Sequence, residues 1–153
     1  MRIMTTTADV LKAIADDKSL VIFNMIALSS AGSNVVVSTL RISRKQYYSR
    51  LSSLLKAGLV RREKGKYSLT TFGIILYYSQ KIIGSAVDQY WKLQALDSIR
   101  SLGNGELPPE QFHTIFDKLI DNQEIKHILL KHFKSSIETK IKEIPALDLC
   151  QNK

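Results

Sequence analysis

The sequence predicts a mainly α protein with one small β-hairpin, and three observations carry that expectation. Apolar residues recur at three- and four-residue steps over most of the chain, as in Tyr47, Leu51, Leu54 and Leu55. One stretch departs from that period: Leu59–Glu63 and Tyr67–Thr70 read as two strand-like runs around Lys64-Gly65-Lys66, a glycine-containing turn. Composition agrees, because 44% apolar and 24% charged residues are ordinary globular usage, while three prolines and seven glycines exclude collagenous and low-complexity chains. At 153 residues the chain can bury a core without disulfides or metal.

Residues 1–15 open with a short helical pattern, with Thr7 as the expected cap and Val10, Leu11 and Ile14 on one face. Asp16-Asp17 offers a new cap and places negative charge where a helix dipole favours it. From Ser19 to about Ser29 the chain is apolar nearly all round, through Leu20, Val21, Phe23, Met25, Ile26, Ala27 and Leu28, which predicts a buried helix. Ser29–Asn34 reads as a loop. Val35–Leu40 is a strand by local propensity, because it opens with three consecutive β-branched residues. Ser43 with Gln46 makes a capping box for a helix that Gly58 ends. Thr70-Thr71 caps a long helix expected from Phe72 to about Leu102, with Gly84 as its weak point, and Ser101–Gly105 stops it. Pro108-Pro109 opens a further helix, Asp121 with Glu124 caps another, and Ser135 with Glu138 restarts or continues it until Pro145.

Charge is concentrated. The chain carries 22 Lys and Arg against 14 Asp and Glu, a net +8. Residues 41–66 hold nine of those cations and a single acid, Glu63, so the whole surplus lies in this window. A local surplus of this kind suits a polyanion, because neutralising phosphates releases condensed counterions. The plain alternative is a solvated basic face.

Leu40-Arg41-Ile42-Ser43, then Tyr47–Val60 with its Leu54-Leu55-Lys56-Ala57-Gly58-Leu59-Val60, then Tyr67-Ser68-Leu69-Thr70-Thr71-Phe72-Gly73 follow one another in an instructive order. Together they resemble winged helix-turn-helix transcriptional regulators of the MarR/ArsR-like type found in archaea and bacteria, over roughly residues 16–75. The resemblance implies that residues 34–40 are helical against their propensity, that 43–57 is the recognition helix and that the hairpin is the wing. It implies double-stranded DNA as partner and a DNA-binding set of Arg41, Ser43, Arg44, Lys45, Gln46, Tyr48, Ser49, Arg50, Arg61, Arg62, Lys64 and Lys66. The helix itself supports part of this. Tyr47, Leu51 and Leu54 face inward, so Arg44, Lys45, Tyr48, Ser49 and Ser52 face out. Arg44 can read guanine and Gln46 adenine through paired hydrogen bonds, and Tyr48 or Ser49 can reach phosphate. Lys56 reads as solubilising the helix edge and Glu63 as a local ion pair.

Other chemistry is weakly signalled. His113, His127 and His132 do not have metal-ligand spacing, and there is no phosphate-cradling glycine loop, nucleophile elbow or paired carboxylates. The expectation is no enzyme, no cofactor and no metal. The single cysteine, Cys150, points to a reducing compartment, and no apolar run has signal or membrane length, so a cytoplasmic, nucleoid-associated protein is expected.

Apolar residues on more than one face of 72–102 leave a stripe that needs a partner. The expected organisation is therefore a DNA-binding domain over 1–71 and a helical dimerisation and C-terminal region over 72–153. A homodimer would engage two half-sites. A winged-helix module for an acidic protein partner, or a non-specific nucleoid protein, would also fit the charge.

Overall fold

The computed structural model describes residues 6–28, 33–102 and 108–142. Ser29–Gly32 of the expected loop, Gly103–Gly105, Pro145 and Cys150 lie outside them. The chain is mainly helical with a two-stranded antiparallel hairpin, and it divides into two compact units, Met1–Lys81 and Ile82–Lys153. Among the described residues no helix is long and apolar enough to cross a membrane.

The first unit contains α1 (Thr7–Ala13), α2 (Asp17–Ala27), α3 (Ser33–Leu40), α4 (Arg44–Lys56), β1 (Val60–Glu63), β2 (Lys66–Leu69) and the start of α5 (Thr71–Asp88). It extends past the expected limit at residue 71 because Leu76 and Tyr77 of α5 pack against its core. That core joins Val10, Ile22, Phe23, Val36, Ile42, Tyr47, Leu51, Leu54, Leu59 and Val60.

Thr6, not Thr7, caps α1: its hydroxyl accepts from the Asp9 N–H while the Asp9 carboxylate accepts from the Thr6 N–H. Asp16 caps α2 by accepting from the N–H groups of Lys18 and Ser19 and from the buried Ser19 hydroxyl. The α2 helix is not buried all round. It buries Ile22 and Phe23 but leaves Val21 exposed, as is Leu28 just past its end, so it lies at the surface of the unit with one face inward.

Residues 35–40 belong to α3, which overturns their local preference for a strand. Val36 is buried in the core, and packing of this kind outweighs a propensity of a few tenths of a kcal/mol. The α3 helix ends with Arg41 in the left-handed region at φ 49°, where the Ile42 N–H reaches the Val37 carbonyl and the Arg41 N–H reaches Ser38. The same paired bonds close α4 around Gly58. Within α4, Tyr47, Leu51 and Leu54 are buried, as expected, whereas Leu55, the other apolar residue of that period, is exposed.

In the hairpin Val60 pairs with Leu69, Arg61 with Ser68, Arg62 with Tyr67 and Glu63 with Lys66. The turn is Lys64-Gly65 alone, both left-handed, at φ 47° and 79°, as a two-residue type I′ connection requires. Lys66 is therefore a strand residue, not part of the turn. Thr70 then ties three elements together. Its hydroxyl accepts from the Gly73 N–H at 2.9 Å, capping α5, and donates to the Gly58 carbonyl at 2.6 Å, while its N–H donates to Leu59 at 3.0 Å.

The second unit comprises the end of α5, α6 (Tyr90–Leu102), α7 (Pro109–Leu119) and α8 (Gln123–Lys142). The expected single helix over 72–102 is two helices parted at Gln89. The break is not at Gly84, and Gln89 is no helix breaker by type. Its N–H and carbonyl keep four-residue bonds to Ser85 and Leu93, so the distortion is local.

Leu96, Phe116, Ile120 and Ile125 form the core of this unit. Phe112, Phe116 and Phe133 stack around one another with centroids 5.9–6.2 Å apart, and the Arg100 guanidinium lies 4.2 Å from the Phe133 ring. Asn122, not Asp121, caps α8, accepting from the N–H groups of Glu124 and Ile125. Asp121 instead pairs with Lys92, whose hydrogen bond holds its carboxyl below the usual carboxylate range. The α8 helix runs on to Lys142 without a restart at Ser135.

Candidate nucleic-acid interface

The α4 helix turns one face into the core and presents Arg44, Lys45, Gln46, Tyr48 and Ser49 to solvent. Tyr48 stands edge-on against Tyr47, 5.2 Å between centroids, so its ring is braced while half of its surface stays open. Burial raises the Tyr47 phenol above its ordinary pKa and keeps it neutral.

Two expected readers are committed to the helix itself. The Ser43 hydroxyl accepts from the Gln46 N–H at 3.1 Å, and the Gln46 Oε1 accepts from the Ser43 N–H at 3.0 Å. Paired recognition of adenine needs both ends of the glutamine amide. The capping box occupies one, so Gln46 is ill placed for the role expected of it.

Arg50 is also turned away from the open face. Its Nε donates to Asp16 at 3.2 Å and its Nη1 reaches the Gln46 carbonyl at 3.5 Å. The Ser19 hydroxyl, the Ser19 N–H and Arg50 together hold the Asp16 carboxyl below its ordinary pKa. Arg50 thus ties the start of α2 to α4. The sequence carried no signal for this pair, whose members are 34 residues apart.

Asp16→Ala removes a cap and this tie, and should destabilise the protein by about 1–2 kcal/mol at neutral pH. Because the folded-state pKa is depressed, the contribution is present above the ordinary aspartate value and fades as pH falls through the lowered one. Urea unfolding of both proteins at neutral and acid pH checks this. The gap between them should narrow at acid pH, and a constant gap would show that the charge of Asp16 is irrelevant.

The hairpin sorts its cations by register. Arg61 and Glu63 share a face with Ser68 and Lys66; Arg62 shares the opposite face with Tyr67, its guanidinium 5.7 Å from the ring centroid. Arg61 Nη1 lies 3.4 Å from Glu63 and its Nε 3.5 Å from the Ser68 hydroxyl. Lys64 occupies the tip and is exposed, as is Lys66.

Four cations occupy places that local energetics disfavour. Arg44 and Lys45 sit in the first turn of α4, which has no acid there, so both oppose the positive end of the helix dipole at about 0.3–1 kcal/mol each. Lys64 holds a left-handed turn position that Asn, Asp or Gly fills with less strain. Arg41 suits the end of α3 by its charge but not by its backbone, which costs on the order of 1–2 kcal/mol in that region.

His113, His127 and His132 are all exposed, and among the described residues no three His, Cys, Asp or Glu side chains stand together as a metal site. Compared with protein families, curated proteins and solved structures, the chain has no match.

Proposed function

We propose that the first unit is a winged helix-turn-helix in which α3 and α4 form the helix-turn-helix and β1–β2 the wing. In this reading it binds double-stranded DNA with sequence preference, as a homodimeric transcriptional regulator. The observation that carries the reading is the set of disfavoured cations. Arg41, Arg44, Lys45 and Lys64 lower the stability of the elements that hold them, and a polyanion facing α4 and the hairpin supplies the compensating interaction. Arg44 and Lys45 lie at the end of α4 that approaches base edges when such a helix enters the major groove. Arg62, Lys64 and Lys66 then follow the sugar–phosphate backbone, while Arg61 stands beside them paired with Glu63.

Support for a second copy comes from exposed apolar side chains outside the two cores. Ile75 and Tyr78 in the first unit are each about 60% exposed, and Ile83, Val87 and Trp91 in the second are 60%, 68% and 78% exposed. Single exposed apolar residues are ordinary, but several on successive turns mark an interaction surface.

Selection of bound sequences from a random DNA pool tests the proposal, with enrichment of a palindrome as the expected result. Featureless enrichment would make the protein a non-specific DNA binder, and absence of binding would turn the basic face toward an acidic protein. Arg44→Ala should cost about 1–3 kcal/mol on the preferred site and much less on random duplex. Equal losses on both would reduce Arg44 to a phosphate contact.

A further inference from the structure

We propose that Glu63 is an electrostatic brake on the hairpin. It pairs with Arg61, so that Arg61 meets DNA already neutralised and the phosphate contacts of that face fall to Lys64 and Lys66. The proposal rests on the DNA-binding reading above and adds a residue that sets how strongly and how salt-sensitively the protein holds any duplex.

Glu63 is the one acid in the 26 residues from Arg41 to Lys66. The strand register places it on the same face as Arg61, two residues along β1, and directly opposite Lys66 on β2. Arg61 is met at both ends of its guanidinium, by the Ser68 hydroxyl across the hairpin and by the Glu63 carboxylate along it. Both partners of the ion pair are more than half exposed.

An exposed pair of this kind holds weakly, so it adds little to the hairpin, whose strands are already paired and anchored by buried Val60. Its effect on an approaching phosphate is larger. The phosphate must either displace the carboxylate from Arg61 or accept a like charge beside it, and in both cases one counterion fewer is released.

Binding of a labelled random-sequence duplex, followed by fluorescence anisotropy over a KCl series, tests this in the wild-type protein and its variants. Glu63→Gln should steepen the plot of log affinity against log salt by about 1 and tighten binding several-fold at low salt, since one further phosphate is neutralised at about 0.9 per contact. Adding Arg61→Ala to Glu63→Gln should restore the wild-type slope, because the pair then carries the same net charge as in the wild type. Glu63→Asp, which keeps the charge, should behave as wild type.

A double variant whose slope stays as steep as that of Glu63→Gln overturns the proposal, because Glu63 would then act on Lys66 and not on Arg61. An unchanged slope for Glu63→Gln overturns it as well. Failure of the wild-type protein to bind duplex at any salt removes the DNA-binding reading itself and the brake with it, which is a different outcome from either slope result.

Discussion

Gly73→Ala should destabilise the first unit by on the order of 3 kcal/mol or more, although alanine is normally the better helix residue by about 1 kcal/mol. A Cβ on Gly73 would drive into the Leu59 carbonyl oxygen, far inside contact distance, and would lie 3.0 Å from its carbon. That oxygen cannot easily move. It accepts from the Thr70 N–H, and Leu59 itself is fully buried beside the end of α4. Relief therefore means lifting α5 away from the hairpin and losing the Thr70 bonds to Gly58 and Gly73.

Gly84→Ala is the control, because a Cβ there meets nothing within 4 Å. It should stabilise by up to about 1 kcal/mol from helix propensity alone. Urea unfolding of the two variants should thus move in opposite directions. A Gly73→Ala protein as stable as wild type would contradict the close approach of α5 to Leu59.

The double substitution Val87→Glu with Trp91→Glu should convert a dimer into monomers and weaken binding to paired half-sites by about 100-fold or more. Both side chains are among the most exposed apolar groups described, so charge at these positions leaves the cores untouched and the helical content unchanged. The loss in DNA binding follows from effective concentration. Once one half-site is held, a linked second reader meets its own at high local concentration, and that gain of about 10²–10⁴ vanishes with the link. Sedimentation equilibrium with titration of one- and two-half-site duplexes checks it. Affinity for a single half-site should not change, and a wild-type chain that sediments as a monomer at micromolar concentration would remove the dimer from the proposal.

Much of the local structure was legible because its causes act over a few residues. The Ser43–Gln46 capping box, the Asp16 cap, the left-handed Gly58 and the hairpin at Lys64-Gly65 each depend on side chains within four positions of one another. The inward Tyr47, Leu51 and Leu54 followed from helical period. At two caps the structure shifts the expected residue by one, Thr6 in place of Thr7 and Asn122 in place of Asp121, because two neighbouring residues can both cap and backbone direction selects between them.

The composition of the candidate site was legible too, but most of its pairing was not. Arg41, Arg44, Lys45, Lys64 and Lys66 could be placed from the charge pattern, and all are exposed. The local ion pair of Glu63 was legible as well, and its partner is Arg61; that Arg50 turns to Asp16, or that Arg61 also meets Ser68 across the hairpin, depends on partners brought together by folding.

The sequence by itself therefore determined the helical class, the hairpin and the confinement of positive charge to residues 41–66, because period, caps and composition are local quantities. Tertiary structure decided the rest. It made a helix of Val35–Leu40, since burying Val36 is worth more than a β-branched residue loses in a helix. It required glycine at position 73, since only the approach of α5 to Leu59 forbids a Cβ there. And it turned Arg50 from the open face of α4 to a carboxylate 34 residues away, a contact that exists only once α2 and α4 have packed.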